Sequence, residues 1–166
     1  MSFKIRAELP GDEAAIAALI TEAFATAPHS SGTEAEIVEG LRSADALTLS
    51  FVAEHEGELV GHVAFSPIAI SGTGRGWFGL GPIAVRPDHQ SRGVGAKLIE
   101  AGLAQLRGQG ASGCVVLGDP AYYCRFGFRA DPRLTFPGPP PEYFQALRWS
   151  DEAAEGEVAY HPAFGA

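Results

Sequence analysis

The amino-acid sequence predicts an α/β (α+β) fold around a mixed β-sheet, and three features carry that expectation. The first half contains consecutive strand-like runs joined by tight polar turns, the mark of antiparallel hairpins. The second half contains a strand, helix, strand crossover, which joins a parallel pair. Between them a glycine-bearing loop opens a helix. The 166 residues match the roughly 100 to 200 residues of one domain with one core, so a single domain over 1–166 is expected.

Phe3 to Glu8 alternates like a strand, and Pro10-Gly11-Asp12 follows as a turn with an N-cap for the alanine-rich amphipathic run to Phe24. Pro28 to Gly32 reads as loop. Thr33 with Glu36 three residues on forms a capping-box pattern ahead of Ile37, Val38 and Leu41. Leu47 to Glu54 and Glu58 to Ile70 are rich in Val, Leu, Phe and Ile and flank a Glu56-Gly57 turn, so they predict a hairpin. After a glycine-rich turn, Ser71 to Gly76, a third strand runs from about Trp77 to Val85.

That third strand has Gly81-Pro82 in its middle. Proline cannot donate to a sheet ladder, so Pro82 predicts a bulge or a splayed edge where paired strands part. The N–H and C=O groups beyond it, at Ile83, Ala84 and Val85, would then be free to pair with an extended ligand. Gly93 to Arg107 reads as a helix with Val94, Leu98, Ile99, Leu103 and Leu106 on one stripe, and Cys114 to Leu117 as a buried strand. Gly118-Asp119-Pro120 gives an N-cap and a helix-starting proline for a short helix through Arg125; Phe126-Gly127-Phe128 leads into the last strands. Pro137 to Pro141 excludes helix and central strand, and one more strand is expected around Glu157 to Tyr160.

The formal net charge of −8 disfavours a nucleic-acid partner or an anionic membrane surface, both of which need an excess of cations. No stretch approaches the ~18 apolar residues of a membrane span, and the amino terminus turns polar too early for a signal peptide, so a cytoplasmic location is expected. Cys114 and Cys124 lack metal-ligand spacing and read as reduced thiols. His29, His55, His62, His89 and His161 also lack it, and no metal is expected.

In so acidic a chain, any anionic ligand needs a local site. Positive side chains and glycines gather between Arg86 and Lys97. Gln90-Ser91-Arg92-Gly93-Val94-Gly95-Ala96-Lys97 passes from a tight loop into a helix, where unpaired N–H groups and the helix dipole suit a pyrophosphate. Glycine permits close backbone approach, and Arg92 and Lys97 add charge. Two better known phosphate loops fail here. A dinucleotide fingerprint would need glycine where Leu98 stands, and a Walker loop would need it at Ala96.

Gln90-Ser91-Arg92-Gly93-Val94-Gly95 resembles the Q/R-x-x-G-x-G/A motif of the GNAT superfamily of acyl-CoA N-acyltransferases. A strand ending Ile83-Ala84-Val85 with Pro87 precedes it. Tyr123-Cys124-Arg125-Phe126-Gly127-Phe128 follows, similar to that family's Y-x-x-x-G-F, and Leu117 to Tyr123 looks like a bacterial branch of predicted acetyltransferases. The resemblance spans about Phe3 to Ala130. It implies a central sheet of roughly six to seven strands, splayed between the fourth and fifth, with about four helices on its faces.

By the same resemblance, the pantetheine arm of acetyl-CoA lies in the splay and an amine attacks the thioester directly in a ternary complex. The implied cofactor-binding groups are Ile83, Ala84 and Val85, the loop Gln90, Ser91, Arg92, Gly93, Val94, Gly95, Ala96 and Lys97, and Tyr123. Tyr123, four residues before Gly127, is the implied proton donor to the leaving thiolate, while Tyr122 should point elsewhere on the helix. The general base stays open. Trp77 to Val85 contains no carboxylate, and Asp119, Glu22, Glu36 and His62 each have a plainer role as cap, solvated helix residue or strand residue. Cys124, with no histidine beside it in sequence, reads as a packed thiol rather than a nucleophile.

The acceptor is expected to be a small-molecule or peptide amine, its identity set by Phe24 to Thr33, Ser71 to Gly76 and the proline-rich tail. A homodimer through the C-terminal strands is implied by resemblance alone. The missing strand carboxylate leaves a non-catalytic acyl-CoA-binding or regulatory module as the alternative. A Rossmann-type nucleotide domain is opposed by the failed fingerprint and the hairpin-rich first half.

Overall fold

The computed structural model describes residues 2–25, 32–71, 76–150 and 154–165. Residues 28–31 of the expected loop and 72–75 of the expected turn lie outside them. The first strand, β1 (Lys4–Ala7), pairs antiparallel with β2 (Leu49–His55), and α1 (Glu13–Phe24) and α2 (Glu34–Ser43) lie between them in the chain. Asp12 precedes α1 as expected, but its carboxylate does not cap the helix. It accepts from the Leu9 amide at 2.7 Å and pairs with Arg6 at 2.8 Å, because that guanidinium reaches across the turn and outcompetes the helix amides. Thr33 likewise stands at the N-cap of α2 without a side-chain capping bond.

The hairpin of β2 with β3 (Glu58–Pro67) closes through Glu56 and Gly57, whose φ of 52° and 80° fit a two-residue turn that follows the twist of the strands. The run to Ile70, read from sequence as one strand, breaks at Pro67. A proline offers no N–H to the ladder, and the next strand, β4 (Ala69–Ile70), leaves the main sheet to join a small one with β7 (Leu134–Thr135) and β9 (Gly156–Ala159). β5 (Trp77–Val85) lies antiparallel to β3. The crossover through α3 (Val94–Gly108) then returns to β6 (Gly113–Leu117), parallel to β5. α4 (Pro120–Tyr123) follows, and β8 (Phe144–Arg148) closes the main sheet against β6.

Among the described residues the main sheet has six strands in the order β1-β2-β3-β5-β6-β8, and four α-helices lie around it. α3 covers one face, where Leu98, Ile99, Leu103 and Leu106 meet Val63, Phe65 and Val116. On the other face α1 and α2 bury Ile16, Ile20 and Val38 against Val52, Ala64 and Ala84. The small sheet covers that same face beyond them, over Trp77, Val115 and Ala146. Gly102 lets α3 approach closely: a Cβ there would overlap the Phe65 ring.

Candidate active site

β5 and β6 run side by side only from Trp77 opposite Gly113 to Leu80 opposite Val116. Past Leu80 comes Gly81-Pro82. β5 then continues on β3 alone, Ile83 opposite Val63 and Val85 opposite Gly61, while β6 stays with β8 to Leu117. The register of β3 slips between Val63 and Phe65, across from Gly81-Pro82. This is the splay that Pro82 predicts. Because the two-residue β4 adds one to the strand count, the parting falls between β5 and β6. Among the described residues, the β5 edge facing β6 has no ladder partner beyond Leu80.

The parted strands open into a cavity of about 670 Å³. Leu80 to Ile83, Val116 and Leu117 form its vertex, and Tyr123 reaches it from α4. Phe24, Glu34 and Ile37 enclose it from the helices opposite α3, with Phe136, Val158, Tyr160 and Phe164 from the C-terminal segment. Tyr123 packs over Gly118, where a Cβ would come within 2.5 Å of the ring, and meets Phe128 edge-on at 6.0 Å. Burial pushes its phenol up to about 12.

Tyr122 does not line the cavity, although its ring meets that of Tyr123 edge-on at 5.0 Å. Its ring carries the Arg125 guanidinium at 4.3 Å, and its hydroxyl would lie 3.6 Å from a Cβ on Gly95. Sequence reasoning gave Tyr122 no place in the site, yet it stands beside the first turn of α3. The 3.6-residue period of α4 was the available signal, since adjacent residues on a helix cannot share a face.

The loop into α3 runs from Gln90 to Gly93. Ser91 and Gly93 take left-handed φ of 64° and 82°, and a Cβ on Gly93 would point into open space. Gln90 Nε2 donates to the Val85 carbonyl at 3.1 Å, tying the loop to the end of β5. The first amide of α3 bonded within the helix is that of Lys97, to Gly93 O at 3.1 Å. Those of Val94, Gly95 and Ala96 precede it without intrahelical partners. A Cβ on Gly95 would meet Val85 and Ile83 at 3.6 and 3.8 Å, so helix start and strand end adjoin. The Val94 side chain is buried in the core and leaves a ligand only its amide, while Ala84, also buried, lies opposite His62 in step with the Arg86–Val60 bond and turns its backbone to β3, so the open edge is that of Ile83 and Val85. Lys97 is exposed and pairs with Glu100 at 3.8 Å; Arg92 is exposed on the loop.

None of the four residues considered as a base lines the cavity. Asp119 accepts from the Ala121 amide at 2.9 Å and caps α4. Glu22 lies 4.0 Å from Arg86 on the outer side of α1, and Glu36 is exposed on α2. His62 is fully buried, its Nε2 2.8 Å from Ser50 Oγ, and burial lowers it to about 4 despite the nearby Glu8. Among the described residues, the carboxylate that does line the cavity is Glu34, at the first position of α2. Sequence analysis passed over it because it reads as one of several acidic residues in a helix's first turn. Cys124 is exposed and donates to the Ala121 carbonyl at 3.5 Å.

A parted parallel pair beside a glycine-bearing helix start defines the acyl-CoA acyltransferase architecture. The family model for GNAT acetyltransferases matches residues 14–128, and the chain belongs to that family of acyltransferases. It is 39% identical to the uncharacterized N-acetyltransferase YhbS of Escherichia coli (strain K12), over 96% of this chain and 97% of that one. Among solved structures, a GNAT family acetyltransferase from Brucella melitensis in complex with acetyl-CoA shares 50% identity, with a TM-score of 0.88 and 98% of each chain covered. The structure of Escherichia coli YhbS in complex with CoA shares 37% identity and a TM-score of 0.88, covering 99% of this chain and 92% of that one. No helix among the described residues is long and apolar enough to cross a membrane.

Proposed function

We propose that the protein transfers the acetyl group of acetyl-CoA to a primary amine by direct attack in a ternary complex. The observation that carries this is the continuous path from the left-handed Gly93 at the start of α3, past Ile83 and Val85, to the cavity where β5 and β6 part. It fits the group it would hold. Amides at Val94, Gly95 and Ala96 face a diphosphate without a Cβ on Gly93 in the way, and the free edge of Ile83 to Val85 accepts an extended arm as an added strand. The relatives solved with acetyl-CoA and CoA support the same reading.

When bound, acetyl-CoA supplies a thioester whose carbonyl carbon takes the amine's lone pair as the C–S bond breaks. The chain's main contribution is positioning, since bringing two reactants into register is worth roughly 7 kcal/mol or more of the barrier. The backbone N–H groups of Ile83 and Val85, on the open edge of β5, would serve the carbonyl oxygen and stabilise its developing charge. Tyr123 serves the leaving sulfur. With its pKa near 12, full transfer to a thiolate whose acid has a pKa of about 8.5 is uphill by about 3.5 pKa units, so Tyr123 donates a hydrogen bond to the thiolate and keeps its proton. Glu34 draws the protonated amine to the cavity, and water carries the ammonium proton out to solvent before attack.

Thiol release from acetyl-CoA, measured across a library of primary amines, tests the reading. Amine-dependent release is expected. CoA binding with no release for any amine would leave a non-catalytic binding module.

A further inference from the structure

The acceptor half of the cavity has a composition of its own. Phe136, Tyr160 and Phe164 form a continuous wall, the Tyr160 ring meeting the other two edge-to-face at 5.2 and 5.1 Å. Phe24 and Ile37 stand among the other lining residues, on α1 and α2. Tyr160 is seated by Gly79, where a Cβ would come within 2.9 Å of its ring. Among the described residues the buried Tyr160 hydroxyl has no hydrogen-bond partner, and burial pushes its phenol far above the ordinary value. Against this wall stands one carboxylate among the described lining residues, that of Glu34.

Such a pocket discriminates by desolvation. A polyhydroxylated or multiply charged amine would have to leave water for a wall with few donors and acceptors, and each polar group left unpaired costs about 1 to 3 kcal/mol. A flat ring gains instead, both from burial and from edge-to-face contact with the aromatic wall. The Glu34 carboxylate gives an ammonium an anionic neighbour in the lining. The cavity volume, within the roughly 300 to 1,000 Å³ usual for small-ligand sites, admits such a molecule beside the end of a pantetheine arm.

We propose that the acceptor is an arylalkylamine, a primary amine joined by a short chain to a flat apolar ring, with the ring against Phe136, Tyr160 and Phe164 and the ammonium toward Glu34. This rests on the acetyl-transfer reading above and names its substrate class.

The test uses the full chain with acetyl-CoA and measures thiol release with 2-phenylethylamine, ethanolamine and spermidine, alongside calorimetry of CoA binding. The expected result is a kcat/KM for 2-phenylethylamine roughly 50-fold or more above that for ethanolamine, and above that for spermidine. Phe164→Ala should shrink that ratio about tenfold through KM for the aromatic amine, with CoA affinity retained as the check on folding. Preference for ethanolamine or spermidine while CoA still binds would overturn the proposal and leave acetyl transfer standing. Absence of CoA binding, or CoA binding without release for any amine, would overturn the acetyl-transfer reading and this proposal with it.

Discussion

At Tyr123, burial against Gly118 and Phe128 raises the phenol to about 12, and a group raised in this way stays protonated through the whole range in which the enzyme is assayed. The kcat profile should therefore show no descending limb from this residue below about pH 10. A limb near pH 8 to 9 that disappears in Tyr123→Phe would show that the phenol ionises far lower. Losing one hydrogen bond to a developing thiolate should cost Tyr123→Phe on the order of 10- to 100-fold in kcat, with KM for acetyl-CoA little changed. Glu34 should behave differently. Glu34→Gln removes the attraction for an ammonium, so kcat/KM for the amine is expected to fall about tenfold, and most steeply at low ionic strength.

The elements that shape the site differ in how openly the sequence announces them. Pro82 in a strand otherwise fit for the core can be read at once, because a missing donor has one structural consequence. So can α3, whose stripe from Val94 to Leu106 is buried as the spacing predicts. β8 could not be read, since Phe144, Gln145 and Ala146 are all buried and the strand shows no alternation. The split at Pro67 was hidden for a related reason: Ala69 and Ile70 continue the apolar run while changing sheets. Glu34 was hidden because nothing local separates a cavity-facing carboxylate from a solvated one.

Gly102 gives a test at this scale. Alanine is favoured over glycine inside a helix by about 1 kcal/mol, yet Gly102→Ala should destabilise the protein by roughly 1 to 3 kcal/mol in urea unfolding, because the added methyl overlaps Phe65. At the other end of α3, Gly93→Ala must hold a φ of 82° with a side chain, costing about 1 to 2 kcal/mol. Its CoA affinity should fall at least tenfold. Gly95→Ala meets only ordinary contacts and should fold like the parent protein.

Across the whole molecule, a largely buried polar network adds to the response to acid, beside the lowered carboxyls of Asp12 and Asp131. It ties β2 and β3 to the end of β1 and to α2: His62 bonds Ser50, Ser50 donates to Glu8 at 2.6 Å, and Glu8 pairs with Arg42 at 2.8 Å. Desolvation lowers His62 to about 4, below its unfolded value near 6.5. Between those pH values the unfolded chain binds the extra proton, so stability falls as pH drops through the window, by roughly 3 kcal/mol at its acid end. Glu8 acts in the same direction. Burial pushes its carboxyl up, but the bonds from Arg42 and Ser50 overcome this and hold it below the ordinary value. Urea midpoints at pH 7 and pH 4.5 should show the loss, and His62→Gln should reduce it; equal midpoints would contradict the assignment.

The acidic chain as a whole, at a net charge of −8, leaves a polyanionic cofactor to be held by local geometry. A crystal structure of this protein with acetyl-CoA measures that directly. The account predicts diphosphate oxygens within hydrogen-bonding distance of the amides between Ser91 and Ala96, with the sulfur between Leu80 to Ile83 and Tyr123. Phosphates bound away from the start of α3, or a thioester outside the parting of β5 and β6, would contradict it.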